Sequence, residues 1–330
     1  MTRYLLTTVQ GLEDVVVEEV VERLGASSAR SAYMSGRVVV EADVAPSALL
    51  ALRSVERFGV FLTSGAFSAL GDIADGVRAV LPEVLSYVSP HVTAGVACER
   101  VGSHPFTSRD VESAVGTLLK EAGVAISLVD PDIELNVDVI GDAYYVWLTS
   151  ARRSLKDRPY RRYQHYASLN PVVAYAMARL ARLRDGETLC DLTCGGGTIC
   201  LEASSVARVR CICVDVALRH VKGALENLSA AGADADVLWF DSTKLHRTLR
   251  PVCDAFIFNP PYGVRIPADI HKLYRGLVRT MELLARPGAR LAVVTPRWRA
   301  FLRYFRGEIL ERRVIYQGGI YSSIILGRVK

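Results

Sequence analysis

The sequence lacks the features that mark membrane proteins and secreted proteins. It has no apolar run near the roughly 18 residues that a membrane-spanning helix needs. Its first residues, MTRYLLTTVQGLEDVVVEE, become acidic too early for a secretory signal. Its seven cysteines are an odd number and do not indicate a secreted disulfide framework. We therefore expect a cytoplasmic protein that does not bind membranes.

Long internal repeats and low-complexity segments are also missing. The composition, 50% hydrophobic and 23% charged, is typical of a globular protein with a sizeable core. A chain of 330 residues favours two domains, or three small ones.

The positive charge is unevenly distributed. The net charge is +5, and two stretches together carry a larger positive surplus than the whole chain. The first basic segment, residues 151–165, reads ARRSLKDRPYRRYQH, and the second basic segment, residues 296–313, reads PRWRAFLRYFRGEILERR. Both interleave arginine, which pairs with phosphate, with aromatics, which stack on bases. A solvated helix face with buried aromatics would give the same pattern. The candidate nucleic-acid contacts are Arg152, Arg153, Lys156, Arg158, Arg161, Arg162, Arg297 and Arg299.

The chain changes its pattern near the first basic segment. Before it, short strands and helices alternate, with a helix predicted over residues 45–59 and two strands joined at Gly141-Asp142. After it come a helix beginning at Pro171 and five apolar strands: ETLCDL, RCICVDV, DVLWFDS, CDAFIFN and ARLAVVTP. Such strands, separated by helices or loops, predict a parallel α/β sheet, and a hairpin around Gly318-Gly319 closes the chain.

One polar residue follows each of four predicted strands: Asp191, Asp215, Asp241 and Asn259. A single aspartate at a strand end is usually a helix cap. Four in succession indicate a ligand site instead, because ligands of open α/β sheets bind beyond the carboxyl ends of the strands.

A glycine-rich loop, DLTCGGGTICLEA, follows the first of these strands. It differs from a dinucleotide-binding loop because Cys200 stands where the third glycine belongs, and because Asp191 would repel a pyrophosphate. A ligand with a positive charge and a ribose suits the loop better, and S-adenosylmethionine is such a ligand. Asp215 is then expected at the ribose hydroxyls and Asp241 at the adenine amino group.

The stretch FNPPYG ends the fourth strand. Two adjacent prolines stop strand pairing because neither has an N–H to donate. The Asn259 side-chain carbonyl and the Pro260 backbone carbonyl can both accept hydrogen bonds from an exocyclic amino group, which orients its lone pair toward a methyl donor. Tyr262 can stack on the base. A base reached in this way is single-stranded or flipped out.

These motifs carry a resemblance to a known family. DLTCGGGTICLEA with NPPYG resembles the class I amino-methyltransferases, and YRRYQHYASLNPVVAYAMARLA narrows this to tRNA and rRNA guanine-N2 methyltransferases. GSHPFTSRDVESAVGTLL and VDPDIELNVDVIGDAYYVWL resemble a THUMP RNA-binding domain. The resemblance implies a ferredoxin-like α+β domain over 1–60, THUMP over 61–150, a basic linker over 151–168, and a Rossmann-like class I methyltransferase over 169–330 with a mostly parallel seven-stranded sheet.

The resemblance also implies the reaction and the residues that carry it. It implies S-adenosylmethionine as methyl donor, tRNA bound at its 3′ end by THUMP, and methylation of guanine N2, at position six of the acceptor stem as in the archaeal type. We expect a monomer without a metal. The implied catalytic residues are Asn259, Pro260 and Tyr262. The implied cofactor-binding residues are Leu169, Asn170, Asp191, Thr193, Cys194, Gly195, Gly196, Gly197, Thr198, Asp215, Asp241, Ser242 and Asn259.

Departures from the family pattern keep several functions open. The family's loop usually has Pro, then Met or Phe, before the cysteine, where this chain has Leu192 and Thr193. Enzymes acting at position ten usually have Asp in place of Asn259, which favours position six. The sequence is also compatible with guanine-N2 methylation elsewhere in tRNA or in rRNA, with adenine-N6 methylation of DNA, with a dehydrogenase, and with a non-catalytic THUMP RNA-binding subunit. Cys211 and Cys213, in one strand, are predicted to be core residues and not metal ligands.

Overall fold

The chain folds as two compact units. The computed structural model describes residues 1–88, 91–149, 154–263 and 269–330. The first unit comprises Met1–Thr8 and Val16–Leu155, and the second comprises Val9–Val15 and Lys156–Lys330. In these described ranges, no helix is both long and apolar enough to cross a membrane.

The first unit is built on a nine-stranded sheet. Its strands are β1 (Thr2–Thr7), β2 (Ser28–Ser31), β3 (Arg37–Ala42), β4 (Arg57–Ala66), β5 (Thr93–Ala97), β6 (Arg100–Val101), β7 (Ala125–Ile126), β8 (Ile133–Ile140) and β9 (Ala143–Thr149). The strand order is β2-β3-β1-β4-β9-β8-β5-β7, and β6 pairs with β8. The helices are α1 (Glu13–Leu24), α2 (Leu70–Ser86) and α3 (Ser108–Glu121).

The strand β8 forms a buried hairpin with β9. Leu135, Val137 and Val139 of β8 are fully buried, and the intervening Asn136 and Asp138 are each only 2% exposed, so both faces of this strand are covered although its apolar residues alternate. The β8–β9 pair is antiparallel and closes at Ile140↔Ala143, so the hairpin predicted at Gly141-Asp142 is confirmed.

The helix predicted over residues 45–59 is wrong. Only a 3₁₀ helix, Pro46–Ala51, forms there, and the chain enters β4 at Arg57. β4 lies between β1 and β9, and a Cβ added at Gly59 would come within 2.2 Å of the Leu148 carbonyl oxygen. Long-range sheet pairing, which requires a glycine at this close approach, therefore overrides the local helical pattern.

The second unit contains the predicted mostly parallel sheet of seven strands. They are β10 (Thr188–Asp191), β11 (Arg210–Asp215), β12 (Ala235–Trp239), β13 (Cys253–Phe258), β14 (Ala285–Thr295), β15 (Glu308–Gln317) and β16 (Ile320–Arg328). The order is β12-β11-β10-β13-β14-β16-β15; the first five strands are mutually parallel, and β16 pairs antiparallel with β14 and β15. The helices are α4 (Pro171–Leu180), α5 (Thr198–Ala203), α6 (Leu218–Ala231), α7 (Ile270–Leu284) and α8 (Trp298–Leu302), with a 3₁₀ helix at Ser242–Arg247.

Cysteines are concentrated in this second sheet. Cys190 of β10 and Cys253 of β13 form a disulfide with a Cα–Cα distance of 5.9 Å, a pairing that the count of seven cysteines did not predict. The two strands are neighbours in the sheet, so the bond joins residues that are already close. Cys211 and Cys213 are both fully buried in β11.

Candidate active site

The four polar strand-end residues line one cavity. It has a volume of about 570 Å³ and lies at the carboxyl ends of the strands of the second unit. The chain reverses its strand order here, because β10 has β11 on one side and β13 on the other. This is the place where open α/β sheets bind ligands. The predicted site residues that line it are Leu169, Asp191, Thr193, Cys194, Gly195, Gly196, Thr198, Asp215, Asp241, Ser242, Asn259, Pro260 and Tyr262.

Positive φ angles shape the glycine loop, and hydrogen bonds with Asp215 and Asn227 hold it in place. Gly195 has φ of +53° and Gly197 has φ of +78°, the left-handed region that favours glycine. The Gly195 N–H donates to Asp215 Oδ2 at 2.9 Å. Asn227 Nδ2 donates to the Gly196 carbonyl at 2.9 Å. The loop therefore presents backbone without side chains to the cavity.

Asp191 has one unsatisfied oxygen. The residue is fully buried, and its Oδ1 accepts a hydrogen bond from the Thr193 N–H at 3.0 Å. Its Oδ2 and the Thr193 Oγ1 are buried and have no partner within the described part of the chain. Burial, with smaller contributions from Cys213 and Asp215, raises the pKa of Asp191 well above its ordinary value. A positive charge near this carboxylate would favour its ionised form and oppose the rise in its pKa.

Asp215 and Asp241 differ in how much of each carboxylate is already engaged. Asp215 accepts from the Gly195 and Ala217 backbone N–H groups and faces the cavity. Asp241 caps the 3₁₀ helix by accepting from the Thr243 N–H, and it pairs with Lys244 Nζ at 2.9 Å. Burial opposes ionisation of Asp241, but the hydrogen bonds from Thr243 and Lys244 outweigh it and lower its pKa. The helix-cap explanation therefore holds for Asp241, and less of its carboxylate is left for a ligand.

Asn259 directly follows β13 at the edge of the cavity. Pro260 and Pro261 come next and offer no N–H, so strand pairing ends at Phe258. Within the described ranges, the Asn259 side-chain amide makes no hydrogen bond. An amide group left open at a cavity wall can bind a polar group that enters the cavity.

A second, smaller cavity adjoins the first. Its volume is about 100 Å³, and it shares Ala167, Ser168, Leu169, Asn259 and Tyr262 with the larger cavity. Asn170, predicted as a cofactor residue, lines this smaller cavity, and its Oδ1 caps α4 by accepting from the Val172 N–H. Gln317, from the end of β15, also lines it.

Sequence reasoning missed a wall of aromatic residues. His165 and His220 line the larger cavity with ring centroids 4.3 Å apart, and the Tyr163 hydroxyl hydrogen-bonds His220 Nδ1 at 2.8 Å. The Ala167 N–H donates to His165 Nδ1, which leaves the proton on Nε2 when the ring is neutral. Burial, followed by the nearby His220, lowers the pKa of His165 to about 4. The only signal was the aromatic spacing of YRRYQHY within a segment interpreted as a linker.

The first basic segment is largely folded into the second unit from residue 156 onward. Arg158 is buried and pairs with Glu202, with Nε 3.0 Å from Oε1. Arg161 is half-buried, and its Nη2 donates to the Leu169 carbonyl at 3.0 Å. Lys156 and Arg162 are exposed. The predicted contacts Arg152 and Arg153 lie outside the described residues.

The second basic segment keeps its arginines at the surface. Arg297 and Arg299 are exposed, and they follow the carboxyl end of β14, the sheet edge on which the cavity lies. Two guanidinium groups lie over the Trp298 ring, with the Arg299 Cζ 4.3 Å and the Arg312 Cζ 4.4 Å from its centroid.

Two domain families match this chain. The profile described as the RMKL-like methyltransferase domain matches residues 158–323, and the THUMP domain profile matches residues 68–149. The first match contains every residue that lines the two cavities.

Curated relatives match over almost the whole chain. The tRNA (guanine(6)-N2)-methyltransferase of Thermus thermophilus is 30% identical over 97% of each chain. The enzyme of the same name from Archaeoglobus fulgidus is 27% identical over 99% of this chain and 92% of its own. The crystal structure of TrmN from Thermus thermophilus superposes with a TM-score of 0.82, at 29% identity, and each chain is covered completely.

Proposed function

We propose that this chain, which belongs to the RMKL-like methyltransferase family, transfers a methyl group from S-adenosylmethionine to N2 of a guanosine in tRNA. Position six of the acceptor stem is the proposed target, because the relatives from Thermus thermophilus and Archaeoglobus fulgidus carry that position in their names. The observation that carries the proposal is the open Asn259 amide at the border of two cavities, one suited to a cofactor and the other to the edge of a base.

The larger cavity fits S-adenosylmethionine. When bound, this cofactor supplies an activated methyl group on a positively charged sulfur. The unpartnered Asp191 Oδ2 and Thr193 Oγ1 suit its α-ammonium group, which brings positive charge and donors. Asp215 would accept from ribose hydroxyls, and Gly195 and Gly196 leave room because they carry no side chain. The engaged carboxylate of Asp241 makes it the weaker candidate of the predicted acids.

Asn259 and Pro260 would orient the amino group that accepts the methyl. The Asn259 Oδ1 and the Pro260 carbonyl are two acceptors, and an exocyclic amine has two N–H bonds to give them. When both N–H bonds are held, the nitrogen lone pair points toward the methyl donor. Catalysis then depends on the orientation of the amino group. The Tyr262 ring lines both cavities and would stack on the base.

Two parts of the chain are proposed to bind the RNA. The THUMP region is proposed to bind the tRNA 3′ end. Exposed Lys156, Arg162, Arg297 and Arg299 are proposed to bind phosphates near the cavity. Arg158 is a poor candidate because its guanidinium is buried against Glu202. The predicted boundaries 1–60, 61–150, 151–168 and 169–330 and a monomeric state are part of the same proposal.

The test is nucleoside mass spectrometry of tRNA methylated by the purified protein. Transcripts with guanosine at position six should give N2-methylguanosine, and transcripts with adenosine there should give none. N6-methyladenosine as the product would overturn the proposal.

Two variants separate the roles. We expect Asn259→Ala to lower kcat by at least about 100-fold, because two oriented N–H bonds become one. Its cofactor affinity should change less than about tenfold, whereas Asp215→Ala should weaken cofactor binding first. Isothermal titration with S-adenosylhomocysteine measures the affinity. Full turnover by Asn259→Ala would refute the orienting mechanism.

A further inference from the structure

The smaller cavity shares Asn259 with the larger cavity and is lined on its far part by residues of β15 and β16. Its volume of about 100 Å³ is well below the roughly 300–1,000 Å³ of a site for a whole ligand. It therefore suits one edge of a group that spans both cavities. Because Asn259 and Tyr262 line both, a base held by its amino group at Asn259 can direct the rest of its edge into the smaller cavity.

Gln317 is placed at this cavity by a rigid hairpin. It is the last residue of β15 and pairs with Ile320 of β16 across Gly318 and Gly319, whose φ values are +56° and +80°. Two positive φ values in a two-residue loop are the requirement of a type I′ turn, which fixes the register. Side chains two apart along a strand share a face, so Gln317 lies on the face of buried Ile315, and both line the cavity.

A second contact supports the end of β15. The Tyr316 N–H donates to the Gln10 carbonyl at 3.1 Å, and Gln10 belongs to the short N-terminal piece of the second unit. The end of β15 is therefore paired with β16 on one side and bonded to this piece on the other. A side chain on such an element can be positioned more closely than one on a free loop.

Three polar side chains that line this cavity, Gln317, Ser322 and Ser168, have hydrogen-bonding groups left for a ligand. Across the described ranges, neither the Gln317 amide nor the Ser322 hydroxyl makes a hydrogen bond. Ser168 Oγ accepts from the His165 N–H, which leaves its own proton to donate. Gln317, Ser322 and Ser168 thus offer one amide, with a donor and an acceptor side by side, and two hydroxyl groups, in addition to Asn259 and Tyr262.

We propose that Gln317 reads the Watson–Crick edge of the target base and makes the site specific for guanine. Next to its N2 amino group, guanine presents the N1–H donor and then the O6 acceptor, which match the carbonyl and the NH2 of one glutamine amide. Adenine, held by its own amino group, presents N1 as an acceptor and then a C–H, so one half of the amide stays unpaired in either orientation. A buried polar group left without a partner penalises the wrong base.

This inference rests on the proposed function, and its test distinguishes the two. The substrate is a tRNA assembled from synthetic pieces with guanosine or 2-aminopurine at position six. 2-Aminopurine keeps the N2 amino group but has neither N1–H nor O6. We expect the wild-type protein to favour guanosine in kcat/KM. Gln317→Met, which keeps the length of the side chain, should reduce that preference by about 5- to 100-fold, mainly through a lower value for guanosine.

Matched variants control for the fold. Gln317→Glu keeps the shape and one acceptor but repels O6, and it should also lose the preference. Gln164→Leu removes an exposed glutamine that lines neither cavity, and it should keep the wild-type ratio. An unchanged ratio in both Gln317 variants, or an equal loss on both substrates, would overturn the role of Gln317. A wild-type protein that forms no N2-methylguanosine would overturn the proposed function instead.

Discussion

The two basic segments have similar compositions, but the second unit uses them differently. In the first, Arg158 is buried against Glu202, and Tyr160 also donates to that carboxylate. In the second, Arg297 and Arg299 are exposed, and none of the described residues forms an ion pair with either. Arginine among aromatics is thus compatible with a structural role and with a binding role.

The difference comes from what each segment has to cover. Residues 156–168 pass over the glycine loop, where Asn227 bonds both the N–H and the carbonyl of Tyr163 and also the Gly196 carbonyl. A Cβ added at Gly223 would come within 2.1 Å of the Tyr163 ring, so α6 leaves room for that side chain. In the second segment the exposed Arg299 and Arg312 both place their guanidinium groups over the Trp298 ring. Packing against the site, and not composition, therefore decides which arginines can reach a partner.

The largest expected effect is on stability, at the Arg158–Glu202 pair. Glu202 is fully buried and the Arg158 side chain is 7% exposed, so Glu202→Gln would remove a buried carboxylate charge that lies beside a buried guanidinium. We expect a loss of about 3–5 kcal/mol in the free energy of unfolding. Urea-induced unfolding measures it. The matched change in the second segment, Arg299→Leu, should cost less than about 1 kcal/mol. Similar losses of unfolding free energy in the two variants would show that the arginines of the two segments contribute equally to stability.

An intermediate effect is expected on RNA binding, from the second segment. The double variant Arg297→Glu/Arg299→Glu should weaken tRNA binding by about 10- to 100-fold at low salt and reduce the salt dependence by about two ions. Its unfolding free energy should change little because both side chains are exposed. Filter binding over a range of salt concentrations measures both quantities.

The control for this variant uses arginines at the opposite edge of the sheet. Arg247 and Arg250 are exposed and precede β13, so they lie near the amino ends of the parallel strands. Arg247→Glu/Arg250→Glu makes the same change in net charge. If both double variants weaken binding equally, the effect is one of overall charge, and the second segment has no special part in it.

The sequence predicted the parts of the site that depend on local pattern. Strand ends could be located because an apolar run stops at a polar residue, as at Asp191, or at two prolines, as after Asn259. The parallel sheet and the closing hairpin followed from the same runs, and the structure confirms both.

Other features depend on contacts between distant residues and were not predictable. Arg158 meets a glutamate 44 positions later, and Gln317 reaches the site only because β15 folds back beside β16 and the Gln10 carbonyl. The predicted helix over residues 45–59 failed for the same reason, since pairing of β4 with β1 and β9 determined the local structure. The Cys190–Cys253 disulfide likewise depends on β10 and β13 being neighbours in the sheet.

The smallest expected effect is a dependence of stability on pH. It is expected from His165 of the first segment, and His271, which contacts the second segment, serves as the comparison. His165 ends the first segment and faces His220, Asp215, Arg219 and Arg161; burial is the main reason that its pKa falls to about 4. Since the unfolded chain has a histidine pKa near 6.5, it binds more protons than the folded protein between about pH 6.5 and pH 4. His165 therefore lowers stability as the pH falls through that range.

The contribution of His165 should be no more than about 1 kcal/mol, because the ring is only half-buried and solvent screens it. We expect His165→Gln to lose less stability than the wild type between pH 7 and pH 5, as measured by urea unfolding at each pH. The matched variant is His271→Gln, which removes an exposed histidine whose Nδ1 lies 3.1 Å from the Tyr304 hydroxyl of the second segment. If the stability of His271→Gln depends on pH in the same way as that of His165→Gln, then the burial of His165 does not cause the difference from the wild type.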